Sequence, residues 1–152
     1  MPIDDPDRRI LRHWLAEPDL PRADLAARAG VTTATLWRRL DRLRESGVIR
    51  AERAVIDWRR LGYEVEASLR FTLDKSYPRA FDEFLDQARE VPEVVGVETF
   101  LGRVDVRLNV IARDMAHWQE IYRARILTLP HISDIEALML VSTIKETEAL
   151  PL

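Results

Sequence analysis

Apolar residues recur at helical spacing through the first third of the chain and at alternate positions over much of the remainder. Ile10, Leu11, Trp14 and Leu15 fall at i, i+1, i+4 and i+5 and predict a first helix of about three turns. Asp5-Pro6 offers it a cap followed by proline at the first helical position. Pro18 and Pro21 punctuate the chain. From Pro21 a second helix carries Leu25, Ala26 and Ala29 and stops at Gly30, a residue suited to the left-handed conformation that ends helices. Val31 turns inward and Thr32 is placed to cap a third helix, Thr33 to about Ser46, whose Leu36, Leu40 and Leu43 form the buried stripe. Gly47 ends it. Val48 to Asp57 reads as a two-stranded wing, and Asp57 to Gly62 as a short turn or helix closing a first domain over residues 1–62.

Beyond Gly62 strands and helices alternate. Val65, Ala67, Leu69, Phe71 and Leu73 alternate with Glu64, Glu66, Ser68, Arg70 and Thr72, the signature of a half-buried strand. Pro78 opens a helix bearing Ala80, Phe81, Phe84, Leu85 and Ala88. Val94 to Leu101 is apolar and β-rich, Gly102-Arg103 turns the chain, and Val104 to Ala112 alternates again. Asp114 caps a helix with Trp118, Ile121, Tyr122, Ile126 and Leu129, Pro130 ends it, and Ile132 to Ile144 forms the last strand. The order βαββαβ over residues 63–152 is the ferredoxin-like split unit, with two helices on one face of an antiparallel sheet. On its other face Leu138, Leu140 and Ile144 of the last strand, with Val94 and Phe100 of the second, favour a partner; the polar residues of the first and third strands weaken that inference.

Two helices joined by a short glycine-containing turn form a helix-turn-helix, whose second helix enters the major groove. That groove, about 12 Å wide, admits one helix. Such a helix needs short hydroxyl side chains at its first turn and arginines on its exposed flank. Thr32, Thr33 and Thr35 meet the first requirement, and Arg38, Arg39 and Arg42 the second. Arg50 and Arg53 in the wing are available to phosphates. An amphipathic helix with an ordinary solvated basic face is the bland alternative, and the preceding turn and first helix argue against it. Trp37 lies off the leucine stripe; packing against the first helix beside Trp14 is favoured over contact with DNA sugars or thymine methyls.

Charge sharpens this reading. The 152-residue chain carries a net −3, yet residues 1–62 hold 13 Arg against 10 Asp and Glu while residues 63–152 hold 10 Arg and Lys against 16 Asp and Glu. A sign change between halves suits a nucleic-acid module joined to a neutral or acidic one. Twenty-one Arg against two Lys is a usage that genomic base composition alone can produce, so placement carries the argument. The absence of Cys excludes disulfides, cysteine zinc sites, iron–sulfur clusters and a thiol nucleophile. No apolar run approaches the ~20 residues that span a bilayer, and the first residues lack the pattern of a signal peptide. A cytoplasmic protein without membrane partner or cofactor is expected.

Several stretches together resemble the Lrp/AsnC (leucine-responsive, feast/famine) transcriptional regulators. They are Asp7-Arg-Arg-Ile-Leu; Asp24-Leu-Ala-Ala-Arg-Ala-Gly-Val-Thr32; Thr35-Leu36, Arg39-Leu40, Leu43 and Gly47-Val-Ile49; Leu61-Gly62-Tyr63; Gly102-x-x-Asp105; and Leu129-Pro130. The resemblance implies an α+β fold: an N-terminal winged helix-turn-helix, its two-helix motif at about residues 21–46, and a C-terminal ferredoxin-like βαββαβ (RAM/ACT-like) module. It also implies a homodimer, often assembled into tetramers or octamers, that binds double-stranded DNA. A small effector, usually an amino acid, would lie in a cleft between C-terminal modules. By the same resemblance Gly102 gives close backbone approach and Asp105 a carboxylate for an effector amine; pairing of Asp105 with Arg103 or Arg107 is the structural alternative. Two departures bear on the effector. Arg103 stands where many members carry an acid, and Ile135-Glu-Ala137 stands where many carry Thr-x-Thr.

Rival functions are an architectural DNA-binding protein of low specificity, which would share every basic residue named, and a sirohaem-modifying enzyme of related architecture. The second needs a catalytic set. His13, His117 and His131 form none recognisable from spacing, and Asp4-Asp5 are cap and tail features.

Overall fold

The computed structural model describes residues 2–145 and 150–152. The chain divides into two compact units, Met1–Val55 with Ile144–Leu152, and Ile56–Thr143. The break falls earlier than the Gly62 expected, because the 3-10 turn Trp58–Leu61 bonds forward through Tyr63 N–H to the Trp58 carbonyl (3.1 Å) and so belongs with the second unit.

In the first unit, α1 spans Asp5–Ala16, α2 Arg22–Ala29 and α3 Thr33–Glu45. The cap of α1 is Asp4 rather than Asp5. Asp7 N–H donates to Asp4 Oδ1 (3.0 Å) and Asp4 N–H to Asp7 Oδ2 (3.3 Å), a reciprocal bond that only the three-residue spacing of Asp4 and Asp7 allows. Ile10, Leu25, Ala26, Ala29, Leu36 and Leu40 form the core, with Trp14, Leu20, Val31 and Ile49 packed against it. Trp37 takes no part in this core and is 46% exposed, which corrects the packing role expected of it.

The expected two-stranded wing is also corrected. Residues 50–57 carry no strand pairing and every one of them is exposed, Val55 at 89%. A lone hairpin without a buried face is marginal in water, and Arg-Ala-Glu-Arg provides no such face.

The second unit runs β1 (Val65–Leu73), α4 (Ala80–Arg89), β2 (Val94–Thr99), β3 (Val106–Ala112), α5 (Met115–Ile121) and β4 (Ile132–Met139), and its four strands build one antiparallel sheet of order β2-β3-β1-β4. Ala67, Leu69, Phe71 and Leu73 of β1 and Val106, Leu108 and Val110 of β3 face α4 and α5, and Phe71 meets Phe84 edge to face at 4.9 Å. A π-helical turn, Tyr122–Ile126, continues α5. Its cause is legible in the spacing. An unbroken α-helix would set Arg125, four residues after Ile121, on the buried face; the wider turn puts Ile126 there and leaves Arg125 exposed.

The last strand stops at Met139, short of Ile144, because β1 begins at Val65. Met139 pairs with Ala67 and Leu140 N–H takes the Glu66 carbonyl, after which β1 has only Val65 left to offer. The uncovered sheet face is more polar than expected. Val94 pairs with Val110 and packs on the helix side, and Ile144 lies outside the strand. That face instead carries Ser68 between Asn109 and Leu138, and a row in which Glu98 holds Arg107 (2.7 Å) and Glu136 holds Arg70 (3.4 Å).

Candidate nucleic-acid interface

Gly30 sets the geometry of the helix-turn-helix. It adopts φ +68°, which lets Val31 N–H reach the Ala26 carbonyl (3.0 Å) and turns the chain toward α3. Thr32 then caps α3: its Oγ1 accepts Thr35 N–H at 3.1 Å and donates to Thr35 Oγ1 at 2.9 Å. The Thr35 hydroxyl proton is left for an outside acceptor. Thr33 is exposed in the first turn beside it.

The arginines divide into two sets. Arg38 is exposed on α3, and Arg50 and Arg53 are exposed beyond it; among the described residues none of the three has an ion-pair partner. Arg39 and Arg42, expected to be open to DNA, are instead engaged by carboxylates of this chain. Arg39 Nη1 donates to Asp4 Oδ1 (2.7 Å) and Asp7 Oδ1 (2.9 Å), and Arg42 Nη2 to Asp7 Oδ2 (2.5 Å). The Arg39 side chain is 17% exposed and that of Asp7 fully buried, so this cluster docks α1 on α3. Arg42 keeps part of its guanidinium in solvent at 38%. Hydrogen bonding to Arg39 and to Asp7 N–H holds the Asp4 carboxyl down at about 2. Sequence reasoning took Asp4 as a cap and tail feature and Asp7 only as part of the Asp7-Arg-Arg-Ile-Leu stretch, and missed their pairing with Arg39 and Arg42. The available signal was an acidic pair, Asp4 and Asp7 at the start of α1, and a basic pair, Arg39 and Arg42 on α3, each spaced i, i+3.

In the second unit the Gly102 turn is wider than a tight hairpin. Phe100 N–H meets the Asp105 carbonyl (2.9 Å), and Asp105 N–H leaves the β2–β3 ladder to bond the Phe71 carbonyl (2.8 Å). Gly102 has φ +152°, so the need for glycine is conformational; an added Cβ would meet nothing within 4 Å in this chain. Arg103 is exposed and its carbonyl accepts the Thr72 hydroxyl (3.0 Å).

Asp105 is buried and fully engaged. Oδ2 accepts Leu73 N–H at 2.9 Å and Oδ1 lies 2.8 Å from Lys75 Nζ. Burial pushes its carboxyl up, but the Lys75 ammonium and the Leu73 N–H outweigh burial and leave it below the ordinary value. Neither Arg103 nor Arg107 is its partner; Arg107 pairs with Glu98 across the sheet. Lys75 was missed by sequence reasoning, although it is one of only two lysines in an arginine-dominated chain.

Comparison with known proteins agrees with this architecture. Residues 3–50 match the winged helix-turn-helix DNA-binding family and residues 66–150 the Lrp/AsnC ligand binding domain family. The chain is 27% identical over 99% of its length to the DNA-binding transcriptional activator DecR of Escherichia coli, 99% of which is covered. An AsnC family transcriptional regulator from Agrobacterium tumefaciens superposes with a TM-score of 0.85 at 31% identity, over 97% of this chain and 96% of that one. A transcriptional regulator of Neisseria meningitidis, solved as its L-Met complex, shares the fold with a TM-score of 0.89 at 23% identity, over 99% of this chain and 97% of that one. With both halves matched in order over nearly its whole length, the chain belongs to the Lrp/AsnC family of DNA-binding transcriptional regulators.

Proposed function

We propose that this protein is a cytoplasmic, sequence-specific transcriptional regulator, dimeric or larger, that lays α3 in the major groove of double-stranded DNA and answers to a small effector at its C-terminal module. The observation that carries the reading is the helix-turn-helix itself: α3 is capped by Thr32, anchored by Leu36, Leu40 and Leu43, and presents Thr33 and Arg38 outward. Two copies would offer two such helices to half-sites about one helical turn, or a multiple, apart. Arg50 and Arg53 supply phosphate contacts that fix register without reading sequence.

The effector site we assign to the edge formed by Gly102, Arg103 and Asp105, with an amino acid or related metabolite as ligand, the class represented by L-Met in the Neisseria meningitidis complex. Arg103 suits an acidic group of such a ligand. An ammonium reaches Asp105 only by displacing Lys75 Nζ.

Footprinting on DNA upstream of the protein's own coding region tests the reading. A short protected site with repeated half-sites is expected. Extended protection without preference would assign an architectural role, and no protection would return the enzyme reading.

A further inference from the structure

Three of the four arginines of α3 are paired with carboxylates of this chain. With Leu36, Leu40 and Leu43 buried, the helical period of 3.6 residues turns Ala34, Arg38, Asp41 and Glu45 directly outward and sets Trp37 on the shoulder beside them; all five are exposed. Arg39 and Arg42 are drawn to α1, and Arg44 bonds Asp41 (3.1 Å) and Glu52 (2.7 Å). Arg38 is then the one arginine of α3 without a carboxylate partner among the described residues. Along the ridge, among the described residues, the unpaired charge runs from Arg38 to Glu45, with Asp41 between them held by Arg44, so the N-terminal half is the part that favours a phosphate or a base acceptor.

What remains at that half is a triangle of Ala34, Trp37 and Arg38, neighbours at i, i+3 and i+4. Trp37 stands 46% exposed, the one large apolar residue on the open side of α3. The thymine C5-methyl is the apolar group displayed in the major groove, and guanine O6 and N7 are the acceptors an arginine takes with both arms. We propose that Trp37 and Arg38 are the base-reading pair of this protein, Trp37 covering a thymine methyl and Arg38 grasping a neighbouring guanine, while Ala34 permits the close approach. This rests on α3 being the recognition helix and adds what that helix reads.

The test uses the full chain and duplexes selected from a random pool by the wild-type protein. Each selected half-site is expected to hold a thymine and a guanine within one or two base pairs. Replacing that thymine by deoxyuridine removes only the methyl. It should weaken wild-type binding about fourfold per half-site, the loss of roughly one buried methylene. Trp37→Ala, whose melting should be unchanged because the side chain is outside the core, binds the two duplexes equally. Arg38→Ala loses preference at the guanine alone and keeps the deoxyuridine penalty. A wild type indifferent to deoxyuridine, or a Trp37→Ala variant that still feels it, overturns the assignment. Selection of no duplex at all would instead sink the recognition-helix reading, and this inference with it.

Discussion

The fully buried carboxylate of Asp7 lies 2.9 Å from Nη1 of Arg39, joining the start of α1 to the middle of α3. A buried ion needs all its partners, because removing one strands the others in a medium that solvates charge poorly. Here the stranded groups would be the guanidiniums of Arg39 and Arg42, one of which keeps Asp4 and the other some solvent. Asp7→Ala is therefore expected to lower stability by about 2–3 kcal/mol, somewhat below the range for a wholly buried pair. Asp4→Ala should cost clearly less, since Asp4 is solvated. Urea denaturation followed by tryptophan fluorescence compares the two, and equal losses would show that burial of Asp7 is not what anchors the helices.

Acid should reach this cluster through Asp4. Its carboxyl titrates at about 2 when folded, below its ordinary value near 3.8. A depressed folded value means that the stabilisation is fully present above about pH 4 and is lost as pH falls through 2. The denaturation midpoint of the wild type should therefore drop more steeply between pH 4 and 2 than that of Asp4→Asn. Parallel profiles would show that the Arg39–Asp4 contact contributes nothing in solution.

The division of the arginines predicts two classes of DNA-binding variant. Arg38→Ala should weaken specific binding by about 1–3 kcal/mol and relax preference at one position. Arg50→Ala and Arg53→Ala should weaken all sequences alike and each reduce the slope of log K against log salt by about one. Arg39→Ala should chiefly lower stability and leave the salt slope intact where the protein remains folded. Fluorescence anisotropy across a salt series separates these outcomes, and a flattened slope in Arg39→Ala would return that residue to the DNA surface.

Residues with one local role are legible from sequence, and those with a second, long-range role are not. Gly30 and Thr32 act within one turn of themselves, and the period of the Leu36, Leu40, Leu43 stripe, like the alternation of β1 and β3, reports a single buried face. Asp7 and Asp105 each also bind a side chain far along the chain, Arg39 and Lys75, which no local period encodes. The pairing of Arg39 and Arg42 is illegible for the same reason: a helix period says which flank is polar, not whether another helix brings carboxylates to it. The wing fails differently. Exposed Arg and Glu are compatible with an extended chain and do not supply the packing that pairs two strands.

Self-association should depend on the uncovered sheet face, where Leu138 lies beside Ser68 and the Glu98–Arg107 and Arg70–Glu136 pairs form one row. Light scattering at micromolar concentration should give at least a dimer, and Leu138→Arg, which adds a charge next to Arg70, should shift it toward monomer without loss of the far-ultraviolet dichroism. A wild type that scatters as a monomer would refute the dimer, and an unaffected Leu138→Arg would move the interface off this face.

Any amine that seeks Asp105 meets a competitor already seated there. Lys75 Nζ occupies Oδ1 at 2.8 Å while Leu73 N–H holds Oδ2, so the lysine, 59% exposed, is the partner that can leave. An effector that brings its own ammonium must replace an intramolecular one and gains little from the exchange; remove the lysine, and the buried carboxylate needs a cation. In a thermal-shift panel of the twenty amino acids and their 2-oxo-acid counterparts, Lys75→Ala should therefore be stabilised more than the wild type by an amine-bearing ligand. The matching 2-oxo acid should stabilise it no better. Asp105→Asn should lose the amine's effect, and Arg103→Ala should lose that of the acid. A ligand that raises the melting temperature of wild type, Lys75→Ala and Asp105→Asn equally would place its site away from the Gly102 turn. Lys75 would then be left with the purely structural task of neutralising Asp105 where β3 meets the end of β1.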